Sequence, residues 1–317
     1  MPDVLVYGDT VRFPELRHEL PIGIPDPFLY VERDGARHAV IGSMEIPRLE
    51  EAGGIQCHPL EEYGLDELIA QGLAREQLRD EISVRALRAL GVERAAVPFG
   101  FPLGLADRLR AAGIELRVDQ QLFDERRRVK TAAELAGIRR AQQAAEAGMA
   151  AARELLRRAR PANGTVTLDG DPLTVDRVKA AIAQAFAEHG CTADEFIVSH
   201  GPQSAIGHHM GAGTIGANEP IVIDIWPRDN ESACYADMTR TFVVGEVSDE
   251  LREWHRLVKE SLDRSLAAIR PGVSGRAVYD VSCEVFEQAG HPTQRTKTPG
   301  EPLDEGFFHG LGHGVGL

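Results

Sequence analysis

Apolar positions along this chain alternate between two spacings, and the changes of spacing divide it into elements. Leu29-Tyr30-Val31-Glu32 and His38-Ala39-Val40-Ile41 are short β-prone runs on either side of Asp34-Gly35. That dipeptide tolerates the left-handed conformations of a two-residue turn, so a hairpin is predicted. From Asp66 to Leu90 the apolar residues Leu68, Ile69, Leu73, Leu78, Ile82, Val84, Leu87 and Leu90 recur at helical spacing. Apolar runs at 95–99 and 114–118 bracket a helix predicted over 103–112. The alternation predicts a compact α/β domain without a glycine-rich phosphate loop.

Residues 124–130 carry six charges in seven positions and read as a solvated linker. The domain boundary is placed there, giving domains 1–124 and 125–317. Thr131-Ala132-Ala133-Glu134 follows as a capping box, in which hydroxyl and carboxylate satisfy free backbone N–H groups reciprocally. A long helix is predicted from there to about Arg160, with Pro161 ending it. Beyond lie a helix (174–189), a strand (195–199) and glycine-rich turns (201–216). Strands at 221–226 and 235–244 and helices at 251–269 and 275–289 complete the pattern.

The strand 221–226 is apolar on both faces except for Asp224. A buried lone charge there is costly unless a cation balances it. Asp237 lies 13 residues on, past the polar stretch 227–232. If residues whose numbers add up to 461 pair, the two aspartates stand opposite each other, Cβ atoms about 5 Å apart. Two carboxylates that close require a shared cation, and a slip of one residue would separate them. The rival reading has them solvated or paired with Arg240. At the end of the chain His309 and His313 stand four apart among glycines, in a segment that could be held against a buried site. Carboxylate and imidazole together suit several divalent transition metals. His200, His208 and His209 form another glycine-flanked group, each on its own more simply a loop residue.

Composition narrows the classes. The chain is 43% hydrophobic and 26% charged, as soluble globular proteins are. A formal charge of −14 disfavours nucleic acid and anionic membrane as partners. The N-terminus has no basic, apolar signal pattern, and no run is long enough to span a bilayer. Cys57, Cys191, Cys234 and Cys283 are scattered, with no CxxC pair, so reduced thiols in the cytoplasm are expected. Cys234 could offer a thiolate near Asp237, though a buried structural thiol is the preferred reading.

Ile223-Asp224-Ile225, the run Tyr235 to Gly245 and the run His309 to Leu317 resemble the M24 metallopeptidases: prolidase, aminopeptidase P and methionine aminopeptidase. Lys130-Thr131-Ala132-Ala133-Glu134-Leu135 resembles the start of their catalytic domain, and Pro271-Gly272-Val273-Ser274 a recurring turn. The resemblance implies an α+β fold: a pita-bread (creatinase/aminopeptidase) catalytic domain behind a smaller creatinase-like α/β domain. It implies Asp224, Asp237 and His313 as metal ligands, with Asp237 bridging two divalent ions. Mn²⁺ or Co²⁺ is favoured, with Zn²⁺ and Fe²⁺ admitted. His208 would be the catalytic histidine, with His209 its rival, and His309 would line the pocket for the residue after the scissile bond. The expected reaction is hydrolysis of Xaa–Pro bonds in small peptides, by a dipeptidase or an aminopeptidase acting as a homodimer.

Two departures are visible. The family's aspartates stand two residues closer together, a difference that leaves both on one sheet face. Two ligand glutamates that should follow His313 are absent. The C-terminal end of the catalytic domain is therefore expected to be missing, and the chain as written to bind metal weakly and to be inactive. A creatinase-like hydrolase or metal-dependent lyase of the same fold, and an inactive binding module, are the alternatives. The filled ligand positions argue against the metal-free enzyme and the binding module, not against the lyase.

Overall fold

The computed structural model describes residues 2–317. The first half runs β1 (Val4–Gly8), α1 (Pro14–Glu19), β2 (Phe28–Arg33), β3 (Ala36–Ile41), α2 (Ile46–Ala52) and β4 (Gln56–Pro59). It continues with α3 (Leu65–Ala70), α4 (Arg75–Ala89), β5 (Arg94–Val97), α5 (Leu103–Ala111), β6 (Glu115–Val118) and α6 (Gln120–Arg128). Its six strands form one mixed sheet in the order β4-β3-β2-β1-β5-β6. The hairpin at Asp34-Gly35 forms as predicted, both residues at positive φ (51° and 79°), as its two-residue turn requires. Alternate residues of β1 and β2 feed two cores: Leu5, Leu29 and Val31 on one face, Val4, Val6 and Tyr30 on the other. The stretch expected as one helix over 66–90 is two, because the chain turns at Gly72 (φ 76°) between α3 and α4.

The charge run expected as a solvated linker is helical through Arg128. Asp119 caps α6 by accepting from the Leu122 N–H, and Phe123 buries into the sheet's second core. Arg126 donates to both oxygens of Glu32 at 2.8 and 3.0 Å and to Glu19 at 3.1 Å. Charge density misleads here, since these carboxylates come from elements about a hundred residues away. We propose that the two domains divide after this helix, at 129–130, rather than within it.

The second half runs α7 (Ala132–Arg158), β7 (Arg160–Ala162), β8 (Thr165–Leu168), β9 (Asp171–Pro172), α8 (Val175–Glu188), β10 (Cys191–Thr192) and β11 (Ile197–His200). After a 3₁₀ turn come β12 (Ile221–Ile225), β13 (Arg228–Asp229), β14 (Met238–Phe242), α9 (Asp249–Ala268) and α10 (Gly275–Gln288). The capping box opens α7 as expected: Thr131 Oγ1 accepts from Glu134 N, and Glu134 accepts from Thr131 N. Ala141, Ala144, Ala145, Gly148 and Ala152 make a small-residue face that lets α8 approach closely. A β-carbon at Gly148 would stand 2.7 Å from the Phe186 ring. The β7-β8-β9 meander was not legible in the sequence. Below it, α7 and α8 cover an antiparallel sheet in the order β11-β12-β14.

The two halves are clasped by α1. His18 Nδ1 lies 2.9 Å from Glu134 Oε1, and Arg17 donates to the carbonyls of Ser232 (3.2 Å) and Glu231. Among the described residues no helix is long and apolar enough to cross a membrane.

Candidate metal centre

Strand β12 alternates in burial. Ile221, Ile223 and Ile225 enter the core, which turns Asp224 to the opposite, open face. Its partner across β14 is Thr239, so paired residue numbers add up to 463 rather than 461. Thr239 Oγ1 donates to Asp224 Oδ1 at 2.6 Å. Asp237 is two residues before Thr239 and therefore faces the same way, as a diagonal neighbour of Asp224 rather than a directly opposed one.

The shift has a cause in the turn. Asp229 N donates to Cys234 O and Ala233 N to Asp229 O, both at 2.9 Å, closing the turn one residue later than local composition suggests. The Asp229 side chain enforces this. It accepts from Ser232 N (2.7 Å), Ser232 Oγ (2.6 Å) and both arms of Arg140 (2.8 and 2.9 Å). Burial alone would raise its carboxyl, but Arg140 and Ser232 outweigh that and hold it at about 2. Asp229 is thus a structural carboxylate. Cys234 beside it is fully buried, and burial pushes its thiol up, away from the thiolate a ligand needs.

A backbone bridge brings in the end of the chain. Tyr235 and Gly316 exchange hydrogen bonds at 3.0 Å in both directions. Three residues earlier, His313 places Nε2 3.4 Å from Asp237 Oδ2. Its Nδ1 lies 2.8 Å from Gly314 O, a contact that puts the ring hydrogen on Nδ1 and leaves the Nε2 lone pair free. Burial, and then the neighbouring Asp224, raise the Asp237 carboxyl, while His313 lowers it. The two aspartates therefore sense each other, although neither is fully buried as the sequence suggested. Asp224 is half-buried, and a third of the Asp237 side chain (33%) is exposed. Arg240 pairs with neither, donating instead to Thr239 O.

Asp224, Asp237, His313 and His208 line one cavity of about 970 Å³, together with Arg128, Lys130, Met210, Trp226 and Tyr235. His208 sits there at φ 61°, a left-handed conformation costly for a residue with a side chain, by about 1 kcal/mol or more. Its rival His209 is not among the lining residues, and its Nδ1 accepts from Gly211 N at 3.0 Å. His200 is tied to Glu219 at 3.2 Å, a structural contact. His309 is not brought to the cavity. Its ring packs edge-on against Phe307, with centroids 4.8 Å apart.

Two carboxylates on one sheet face, with an imidazole presenting a free lone pair, fit a divalent ion by donor type and direction. The described side chains do not close a shell by themselves: no group of three or more His, Cys, Asp or Glu stands close enough to enclose a metal. Thr239, which fixes Asp224, went unread in the sequence. Its signal was parity, since it follows Asp237 by two on the same strand.

Residues 136–317 match the sequence profile of metallopeptidase family M24. A stretch of 122 residues is 30% identical to an Xaa-Pro dipeptidase of Pyrococcus furiosus, covering 38% of this chain and 31% of that protein. Over 243 residues the chain is 23% identical to an Xaa-Pro dipeptidase of Pyrococcus horikoshii, 74% of this chain and 59% of that one. These matches span from about a third to three-fifths of the curated relatives' length. The solved prolidase of Pyrococcus horikoshii superposes with a TM-score of 0.74 at 17% identity, over 100% of this chain and 78% of that one.

Proposed function

The chain belongs to metallopeptidase family M24, in its prolidase branch and with its pita-bread fold, and we propose on that premise that it hydrolyses Xaa–Pro bonds in small peptides. The observation that carries the proposal is the meeting of Asp224, Asp237 and His313 Nε2 at one cavity that also holds His208. The proposed cofactors are two divalent ions, Mn²⁺ or Co²⁺ first and Zn²⁺ or Fe²⁺ next. The proposed setting is a cytoplasmic homodimer.

Asp224, Asp237 and His313 would hold the metal. When bound, it would polarise the scissile carbonyl and lower the pKa of water at the site. Thr239 fixes the rotamer of Asp224 through its 2.6 Å hydrogen bond, so the carboxylate meets its ligand already oriented. Gly314 O keeps the proton of His313 on Nδ1, so Nε2 is the atom offered. His208 would donate to the carbonyl oxygen as negative charge develops there, the step a positioned N–H donor favours most. Trp226 and Tyr235 wall the cavity with apolar ring surface against which a pyrrolidine can pack. His309 is proposed for the proline pocket on sequence resemblance alone.

The test is hydrolysis, by the full-length protein, of a panel of Xaa–Pro dipeptides and longer Xaa–Pro peptides, with each of the four ions added in turn. Cleavage before proline, dependent on the metal and lost in Asp237→Ala, is the expected result. No cleavage of any proline peptide with any ion overturns the peptidase reading.

A further inference from the structure

A smaller cavity, of about 210 Å³, lies wholly in the first half of the chain and shares no residue with the metal cavity. Strands β1 and β3 run parallel to each other, with β2 antiparallel between them. Tyr7 near the end of β1 and Ile41 at the end of β3 put the cavity at the carboxyl ends of these strands, where open α/β sheets hold their ligands. Phe28, Leu60, Leu65 and Leu78 give it apolar walls. The three leucines pack on the core of the half yet stay only partly buried.

The charged side is one stripe of α4. Arg75, Leu78, Arg79 and Ile82 recur at i, i+3, i+4 and i+7, and all line the cavity. Arg75 is the first residue of the helix, where the helix dipole opposes a cation, and Arg79 repeats the charge one turn on. Both placements weaken α4 by themselves, and an anion between the two guanidinium groups would offset them. Asp80 takes Arg79 through Nε at 2.7 Å but is not part of the cavity wall. Arg75 has no ion pair among the described residues, and the wall holds no Asp or Glu. Tyr7 adds a hydroxyl without a hydrogen-bond partner among the described residues. Burial raises its phenol, while Arg79 and Arg75 pull it down, so both cations act on the same spot. The Arg79 guanidinium lies 5.7 Å from the centre of the Tyr7 ring.

We propose that this cavity binds a small monocarboxylate with an apolar body the size of one aromatic ring, the ring among the leucines and the carboxylate between Arg75, Arg79 and the Tyr7 hydroxyl. An apolar cavity of about 150 Å³ takes up benzene, so 210 Å³ leaves room for a carboxylate on the ring. An α-amino acid matches the space but not the charge, because its ammonium would meet two cations and no acid. The site is therefore no second place for a product of Xaa–Pro hydrolysis, and it does not depend on that activity.

The experiment titrates phenylacetate, its neutral counterpart phenylacetamide, and phenylalanine into the full-length, metal-free protein at pH 7, followed by calorimetry and ligand-observed NMR. Phenylacetate should bind at millimolar concentration or below, as ligands of this size do. It should bind about tenfold or more tighter than the amide or phenylalanine, the value of a charge-assisted hydrogen bond. Arg75→Met should remove most of that preference and leave the amide unchanged, and Tyr7→Phe should reduce it by less. Leu78→Trp fills the space and should lose both probes. Arg75 is exposed, so Arg75→Met keeps the fold and decides the test by itself if Leu78→Trp does not fold. No binding of phenylacetate to wild type, acid and amide affinities within twofold of each other, or phenylacetate binding unchanged in Arg75→Met, each overturns the proposal.

Discussion

Asp229→Asn tests whether the turn that sets the strand register is held by charge. The wild-type carboxylate is 1% exposed and accepts four hydrogen bonds, two from Arg140 and two from Ser232. Asparagine keeps the shape, but its amide nitrogen must face one of those donors, leaving N–H against N–H. A fall of the carboxyl from 3.8 to about 2 corresponds to roughly 2.5 kcal/mol in favour of the charged, folded form. Arg140 is 37% exposed and can turn to water, so the loss stays near that figure rather than at the 3–5 kcal/mol typical of a fully buried broken pair. For a domain of this size the melting temperature should drop by about 5–10 °C at pH 7.

The sign of the pH dependence follows from the lowered carboxyl. Its contribution is fully present above the unfolded value and is lost as pH falls from about 4 through about 2. Urea unfolding of wild type and Asp229→Asn, followed by tryptophan fluorescence at pH 7, 5, 3 and 2, measures the gap directly. The gap should be constant from pH 7 to 5 and close by pH 2. Equal stability at pH 7, or a gap that persists undiminished at pH 2, refutes the reasoning.

In the full-length protein Asp237→Ala should abolish Mn²⁺ binding in calorimetric titration, whereas Asp229→Ala, assayed well below its melting temperature, should not; equal effects would mean that the wrong aspartate was assigned. Thr239→Val keeps the shape of the side chain but removes the hydrogen bond to Asp224, so metal affinity should fall about tenfold with little change in stability. An unchanged Mn²⁺ affinity would show that Asp224 is not oriented this way. Gly137→Ala would put a β-carbon 1.8 Å from Ser232 Oγ and force the 229–234 turn off α7. A loss of about 2 kcal/mol or more in urea unfolding is expected, and a loss below 0.5 kcal/mol would contradict the close approach.

The local patterns of this sequence were enough for the Asp34-Gly35 hairpin, the Thr131–Glu134 capping box and the long helix behind it. Each depends on residues within a few positions of one another. Parity also survived the change of register: Asp224 and Asp237 stay on one face because a strand repeats every two residues, whichever even shift the turn imposes. What the sequence could not determine depended on partners far along the chain. Arg140, 89 residues away, fixes where the 229–234 turn closes. Glu19 and Glu32 make a helix face of what composition presents as a linker. The Tyr235–Gly316 bridge carries His313 to Asp237 while His309 stays on Phe307, and the left-handed backbone of His208 turns it, not His209, to the cavity. Carboxylate and imidazole are written in the residues themselves, but their convergence needs backbone bridges and ion pairs between distant segments, and those exist only once the chain has folded.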